Sequence, residues 1–194
     1  MDKQQLQLRR ALDQRQLIRF SRRFDASGTH GYVRGFGAKF LLLALVADGQ
    51  WFNGFECVRI KDVRNLRPDP YRAFAEAALR KRGERLPRKP RIAMGSIEEI
   101  LLSANRAFPL VTIHQERVHP DICWIGRVLC FDRGQVAMLE ITPGAKWESK
   151  PRWYRLSTIT RVDFGGGYEE ALHLVGGSPS DSVVIQAKRS SRRS

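Results

Sequence analysis

Two arginines carry the first chemical signal in this sequence. Arg59 and Arg155 are the only charged residues identical at equivalent places in two copies of one pattern. A guanidinium is a planar fork of donors that binds two oxygens at once. Each arginine therefore either holds a phosphate or pairs with a carboxylate and pins the fold; the sequence leaves both readings open. A denser source of charge is the run Arg80, Lys81, Arg82, Arg85, Arg88, Lys89 and Arg91, seven basic residues within twelve positions. Pro87 and Pro90 interrupt it, so it cannot form one buried helical face and is expected to project into solvent. Exposed basic segments attract polyanions or acidic partners, or simply solvate the chain.

Other constellations point away from catalysis and metal binding. His114, His119, Cys123 and Cys130 lie close in sequence, but no Cys-x-x-Cys occurs, and Cys123 and Cys130, seven apart on one expected strand, should face opposite sides. Cys57 reads as a core residue. Gly165-Gly166-Gly167 before a short helix could hold an anion on backbone N–H groups, or supply only a bend. Glu98-Glu99 and Glu169-Glu170 open helices, where the macrodipole favours them without any catalytic role. No nucleophile elbow, phosphate loop or zinc-protease motif is present. The expectation is a protein that is not an enzyme, with no catalytic residue, no metal site and no cofactor. Trp51 and Trp147 open equivalent strands, either as base-stacking aromatics or as covers for one end of a small core.

The elements that must position these residues come from an internal repeat. Gly31–Val63 can be laid over Gly126–Ile159 with one single-residue gap: Gly31-Tyr32-Val33-Arg34-Gly35-Phe36 over Gly126-Arg127-Val128-Leu129-Cys130-Phe131, Trp51 over Trp147, Arg59 over Arg155 and Val63 over Ile159. Such a repeat means two small tandem modules. In the first, residues 3–16 read as a helix, 17–24 as a strand, Ser27-Gly28-Thr29 as a turn, and 30–36, 40–46, 51–60 and 63–67 as strands, with Asp48-Gly49 a hairpin turn. In the second, Ser96-Ile97-Glu98-Glu99 is a capping box that starts a helix over 97–107, Pro109 stops it, and strands follow near 110–118, 122–131, 134–141, 147–155 and 159–164. A helix follows each set, Tyr71–Arg82 and Tyr168–Leu174. The expected core takes Val33, Phe36, Leu43 and Val63 from one copy and Val128, Phe131, Met138 and Ile159 from the other.

The 194 residues carry a net charge of +14, and three stretches account for all of it: residues 1–30, residues 80–91 and the tail with Lys188, Arg189, Arg192 and Arg193. The charge is thus expected on extensions rather than on the repeats. The predicted division is a first module at 1–82, a basic linker at 83–95, a second module at 96–177 and a basic disordered tail at 178–194. No segment has the roughly 20 apolar residues of a membrane span, and Met1-Asp2-Lys3-Gln4-Gln5 lacks a signal-peptide core. Three cysteines make no disulfide framework, so the expected location is cytoplasmic, with no membrane partner.

One helix and five short antiparallel strands, with these motifs, resemble the Sm-like family of SH3-type small barrels. The family's first motif is matched by Gly31-Tyr32-Val33-Arg34-Gly35-Phe36, with Gly37 where the family has Asp, and by Phe131-Asp132 in the second copy, with Cys130 in place of Gly. Its second motif is matched by Val58-Arg59-Ile60-Lys61-Asp62-Val63 and Tyr154-Arg155-Leu156-Ser157-Thr158-Ile159, both without the Gly after Arg. The resemblance implies a mainly β, α+β chain of two tandem five-stranded barrels. It implies an RNA-base pocket of which Arg59, Arg155 and Asp132 match and the remaining positions do not. It also implies homo-oligomers through barrel edge strands. The resulting expectation is non-enzymatic binding of a polyanion, RNA first, by Arg59, Arg155 and the basic run. The alternative is a protein-interaction or assembly scaffold with no nucleic-acid ligand.

Overall fold

The computed structural model describes residues 3–180, and the chain divides into two compact units, Met1–Pro90 and Arg91–Ser194. Nearly all of the tail expected from residue 178 onward lies outside the described residues. Among the described residues the chain is mainly β, with ten strands and four α-helices, an α+β protein.

In the first unit the Gln- and Leu-rich segment forms helix α1 (Lys3–Asp13), which buries Leu8 and Ala11. It stops short of residue 16 because Arg15 takes a left-handed φ of 46° and the N–H of Gln16 turns back to the carbonyl of Ala11. Five antiparallel strands follow: β1 (Leu17–Arg22), β2 (Asp25–Phe36), β3 (Phe40–Val46), β4 (Phe52–Arg59) and β5 (Val63–Pro68). A single 3-10 turn, Ile60–Asp62, joins β4 to β5, and helix α2 (Arg72–Lys81) closes the unit. The strand order is β5-β1-β2-β3-β4. Ser27-Gly28-Thr29 is not the expected turn. Those residues lie inside β2, and the chain reverses at Arg23-Phe24, where Arg22 pairs with Asp25 across the ladder and the two side chains bond at 3.2 Å.

The second unit repeats this plan with helix α3 (Ile97–Ala107), β6 (Val111–His114), β7 (Cys123–Asp132), β8 (Gln135–Glu140), β9 (Arg152–Arg155), a 3-10 turn at Leu156–Thr158, β10 (Arg161–Phe164) and helix α4 (Gly167–Gly176). Its order, β10-β6-β7-β8-β9, is the first unit's order carried over. The Ser96 hydroxyl accepts from the N–H of Glu99 at 3.1 Å, while the Glu99 carboxylate takes the N–H of Gly95 rather than that of Ser96. The expected strand at 110–118 ends at His114, since Val118 and His119 both donate to the Gln115 carbonyl and turn the chain. The expected strand at 147–155 keeps only one bridge, Trp147 to Ile141, before Arg152; Pro151 between them has no N–H to give a ladder.

Details of register show how closely the units correspond. Gly31 faces Leu45 and Gly126 faces Glu140, and a Cβ on either glycine would fall 2.5 or 2.1 Å from the carbonyl oxygen of Ala44 or Leu139. Each ladder then slips at the same point, between Val33 and Gly35 and between Val128 and Cys130. The shared β-bulge reverses the inward–outward alternation beyond it. Cys123 and Cys130 therefore share a face, contrary to the simple count, but seven strand residues hold them roughly 20 Å apart.

The expected closed barrels are corrected by the hydrogen bonding. Within each unit the ladders form an open five-stranded sheet, and among the described residues β4 does not pair with β5, nor β9 with β10. The 3-10 turn carries the chain away from the strand it has just left and delivers β5 to β1 and β10 to β6.

One sheet face of the first unit packs Leu8, Ala11, Ile18, Phe20, Val33, Leu41, Leu43, Val58, Ile60 and Val63 together. On the other face α2 covers Leu17, Tyr32 and Val46 with Ala75 and Leu79. In the second unit α4 likewise sets Leu172 against Leu110, Ile125 and Ile141. Val33, Leu43, Val63, Val128, Met138 and Ile159 are buried as expected. Phe36 and Phe131 are only half-buried because they lie at or one residue before the ends of their strands, just past the bulge; the fully enclosed phenylalanines are Phe20, Phe40 and Phe164. Among the described residues no helix is long and apolar enough to cross a membrane.

Candidate functional site

The seven residues of the basic run are all exposed. Arg80 and Lys81 form the last turn of α2, where positive charge suits the helix C-terminus, and Arg82 caps it. The segment after the cap is not a loose connector. Leu86 packs on the Leu17–Tyr32–Val46 cluster, and the Glu84 carboxylate accepts the Phe52 N–H at 3.3 Å. Arg85 is thereby held over the sheet. It lines, with Arg15, Tyr32, Phe52 and Arg80, an open cavity of about 380 Å³. Burial, then the nearby Glu76 carboxylate, pushes the Tyr32 hydroxyl up to about 12. Burial, then Arg15, lowers the pKa of Arg34. Arg91 belongs to the second unit and is exposed there.

Arg59 and Arg155 keep their equivalence but not their environment. Both stand one residue before the 3-10 turn with extended backbone, φ −73° and −69°. Arg59 lies opposite Phe40 in the ladder with its guanidinium 5.4 Å from the ring centre, a cation–π contact. Arg155 lies opposite Gln135 and is exposed.

The tryptophans are not equivalents. In the ladders Val46 faces Phe52 while Ile141 faces Trp147, so Phe52 is the counterpart of Trp147, and the extra residue falls later, before Arg155. Trp147 packs beside Ile141 and donates its indole N–H to the Gly176 carbonyl at 3.1 Å, which ties β8 to the end of α4. Trp51 folds over Gly49 in the hairpin turn, remains 44 % exposed and has the Arg82 guanidinium 5.9 Å from its ring centre.

A second concentration of polar chemistry was only partly visible in the sequence, which singled out His114, Cys123 and Glu169 but not Asp163, Arg161 or Thr112, because it depends on which strands meet. In the second unit β10, β6 and β7 bring Arg161, His114 and Cys123 into one row and Asp163, Thr112 and Ile125 into the next. His114 Nε2 lies 2.9 Å from both Asp163 Oδ2 and Arg161 Nη2, and Arg161 Nε lies 3.1 Å from Asp163 Oδ2. Thr112 donates to Glu169 of α4 at 2.5 Å, and Thr160 donates to Glu116 at 2.7 Å. Thiol, imidazole and carboxylate thus stand together, yet burial and then Asp163 push the Cys123 thiol up. That favours the protonated form and disfavours a nucleophile. Within the network Arg161 stands beside two carboxylates, Asp163 at 3.1 Å and Glu116 at 3.6 Å. Among the described residues no group of three His, Cys, Asp or Glu is arranged to hold a metal ion.

The corresponding rows of the first unit are basic. Arg19 lies directly between Arg67 on β5 and His30 on β2, and Ser21 lies further along β1. Asp69, with a side chain 2 % exposed, faces His30 Nδ1 at 3.2 Å and accepts the Tyr71 N–H at 2.7 Å, which starts α2. Arg19 and Arg22 were expected on an extension; they lie within β1, so part of the positive charge sits on the repeat itself.

Fold and surface together define a two-unit α+β protein with twice-used strand order and basic ground on the first unit. Compared with known proteins, the chain matches no family model, no curated protein and no solved structure.

Proposed function

We propose that the chain is a tandem protein of the Sm-like kind that binds a polyanion, single-stranded RNA first, without catalysing a reaction, in the cytoplasm. The observation that carries this reading is Trp51 beside Arg82 at the head of the exposed basic run. A half-exposed indole gives a base a face to stack on, and neighbouring guanidinium and ammonium groups meet the phosphates. Strand order β5-β1-β2-β3-β4, repeated with the same bulge and the same 3-10 turn, supports the family likeness; the open hydrogen bonding and the missing motif residues weigh on the other side. Arg155 is the better placed of the two repeat arginines for a phosphate, since Arg59 is engaged with Phe40.

The test is a salt titration of binding to a fluorescent single-stranded oligoribonucleotide. Affinity should fall with a log–log slope near −0.7 for each phosphate contacted. Replacing Arg85, Arg88 and Lys89 by Ser should flatten the slope by roughly two units with the fold intact. An unchanged slope removes the run from the binding surface. Absence of binding at low salt moves the reading to an assembly scaffold that pairs with other chains, its own copies included, through strand edges.

A further inference from the structure

We infer that the first unit takes up a single nucleotide in the open cavity beside Phe52, with the base against Phe52, Leu79 and Leu86 and the phosphate among Arg15, Arg80 and Arg85. This inference deepens the polyanion reading and rests on it for the source, a nucleotide of the single strand. It adds a second base contact next to that of Trp51.

Two chain reversals build the cavity. Helix α1 ends at Arg15, whose left-handed φ of 46° and the bond from the Gln16 N–H to the Ala11 carbonyl lead the chain into β1. Helix α2 ends in a similar way: Gly83 takes φ +74°, and the Glu84 N–H reaches back to the Leu79 carbonyl at 2.9 Å. The segment beyond returns over the sheet, where Leu86 packs on the Leu17–Tyr32–Val46 cluster and the Glu84 carboxylate accepts the Phe52 N–H at 3.3 Å. About 380 Å³ stays open beside this segment, within the roughly 300–1,000 Å³ of small-ligand sites. In the second unit the equivalent ground is covered. Trp147, the counterpart of Phe52, donates to the Gly176 carbonyl, and a Cβ on Gly176 would fall 2.6 Å from the Ala145 carbonyl oxygen.

The lining suits a flat apolar body that bears an anion. Phe52, Leu79 and Leu86 give it an apolar floor, and Phe52 directly follows Trp51 in the chain. Three arginines and two glutamates stand around that floor, and both carboxylates are engaged, Glu76 with Arg72 at 2.8 Å and Glu84 with the Phe52 N–H. Among the described residues none of Arg15, Arg80 and Arg85 has an ion-pair partner. A phosphate there gains charge-assisted bonds from guanidinium forks. Tyr32 supplies a polar handle. It is 8 % exposed, and among the described residues its hydroxyl has no hydrogen-bond partner. Burial, then Glu76, pushes that hydroxyl up to about 12, so at neutral pH it is a donor. A nucleobase has a ring nitrogen or carbonyl on its edge to accept the bond.

The probes are adenosine 5′-monophosphate, inorganic phosphate and adenosine, each titrated into the full chain at constant ionic strength, with the Tyr32 and Phe52 ring resonances read by NMR. The nucleotide should shift both rings saturably. Phosphate should leave them in place, and adenosine should bind roughly tenfold more weakly than the nucleotide. Tyr32→Phe removes the hydroxyl alone and should weaken the nucleotide about fivefold, one neutral hydrogen bond. In the oligoribonucleotide assay it should weaken binding by a similar factor with the salt slope unchanged, since no phosphate contact is lost. Arg15→Asn, which tolerates the left-handed backbone, should weaken the nucleotide about tenfold and flatten the salt slope by roughly 0.7, one phosphate contact outside the run. Rings unmoved by the nucleotide, rings moved as far by phosphate alone, or wild-type affinity in Tyr32→Phe would overturn the site while leaving polynucleotide binding by the run intact. Nucleotide bound here with no oligoribonucleotide bound at low salt would uphold the cavity as a free-nucleotide site and sink the polynucleotide reading.

Discussion

The rung Arg67–Arg19–His30 in the first unit and the rung Asp163–Thr112–Ile125 in the second occupy the same place in the same strand order. Each follows the rung that contains Gly31 or Gly126, and each lies on the sheet face that α2 or α4 partly covers. Their chemistry differs completely. In the second unit the carboxylates of this network lie beside Arg161: Asp163 at 3.1 Å and Glu116 at 3.6 Å, with His114 and Thr160 as further hydrogen-bond partners. In the first, two arginines face each other across an open cavity. A hydrogen-bonded polar network between strands and a helix rigidifies the part of the fold that holds it. The two copies thus share a scaffold and differ in the charge that they carry at the same rung.

The largest expected effect tests the closed half of this comparison. Asp163→Ala should cost about 3 kcal/mol in denaturant melts, because it removes the carboxylate that His114 and Arg161 both face and leaves Arg161 only the longer contact to Glu116. Arg67→Gln at the matching position, on an exposed residue, should change stability by no more than about 0.5 kcal/mol. Equal losses at the two positions would end the distinction. The scaffold's sameness is tested next. Gly31→Ala and Gly126→Ala should each cost about 1–3 kcal/mol, since both would push a methyl group into a neighbouring backbone carbonyl. A loss at only one of them would mean the bulges are not equivalent.

The smallest effect is in the alkaline limb. The Tyr32 hydroxyl is raised to about 12, so the folded state holds its proton where the unfolded chain, near 10, releases it. The stabilisation is complete below pH 10 and is lost as pH rises toward 12. Tyr32→Phe should make the fall of the denaturation midpoint over that window shallower and remove one late phenolate step from the absorbance at 295 nm. Its counterpart in the second unit is Arg127; there the raised tyrosine is instead Tyr154 on β9, held up by burial and then by Glu140, so the copies differ in where this sensitivity sits.

Much of the scaffold was legible in the sequence. Apolar runs between turn residues gave most of the strands, Asp48-Gly49 gave a hairpin, and Ser96 with Glu99 marked the start of α3 to the residue. These are local signals, carried by side chains that act on their own stretch of backbone. The repeat was local too, read from Gly31, Phe36, Arg59 and Val63 against their partners. It erred by one position at Trp51, because a gap can slide along a sequence until a ladder fixes it.

What the sequence by itself determined is therefore the kind and order of the elements, the doubling of the module and the exposure of the Arg80–Arg91 run, where charge density and proline forbid burial. Only the tertiary structure decided which residues meet. That Arg19 faces Arg67 and Thr112 faces Asp163 follows from the register between β1 and β5 and between β6 and β10, strands far apart in the chain. That Cys130 shares a face with Cys123 follows from a bulge that reverses the alternation. Pairing register is a collective outcome of packing a whole sheet on its helices, and a shift of one residue changes every neighbour, so no local pattern can encode it.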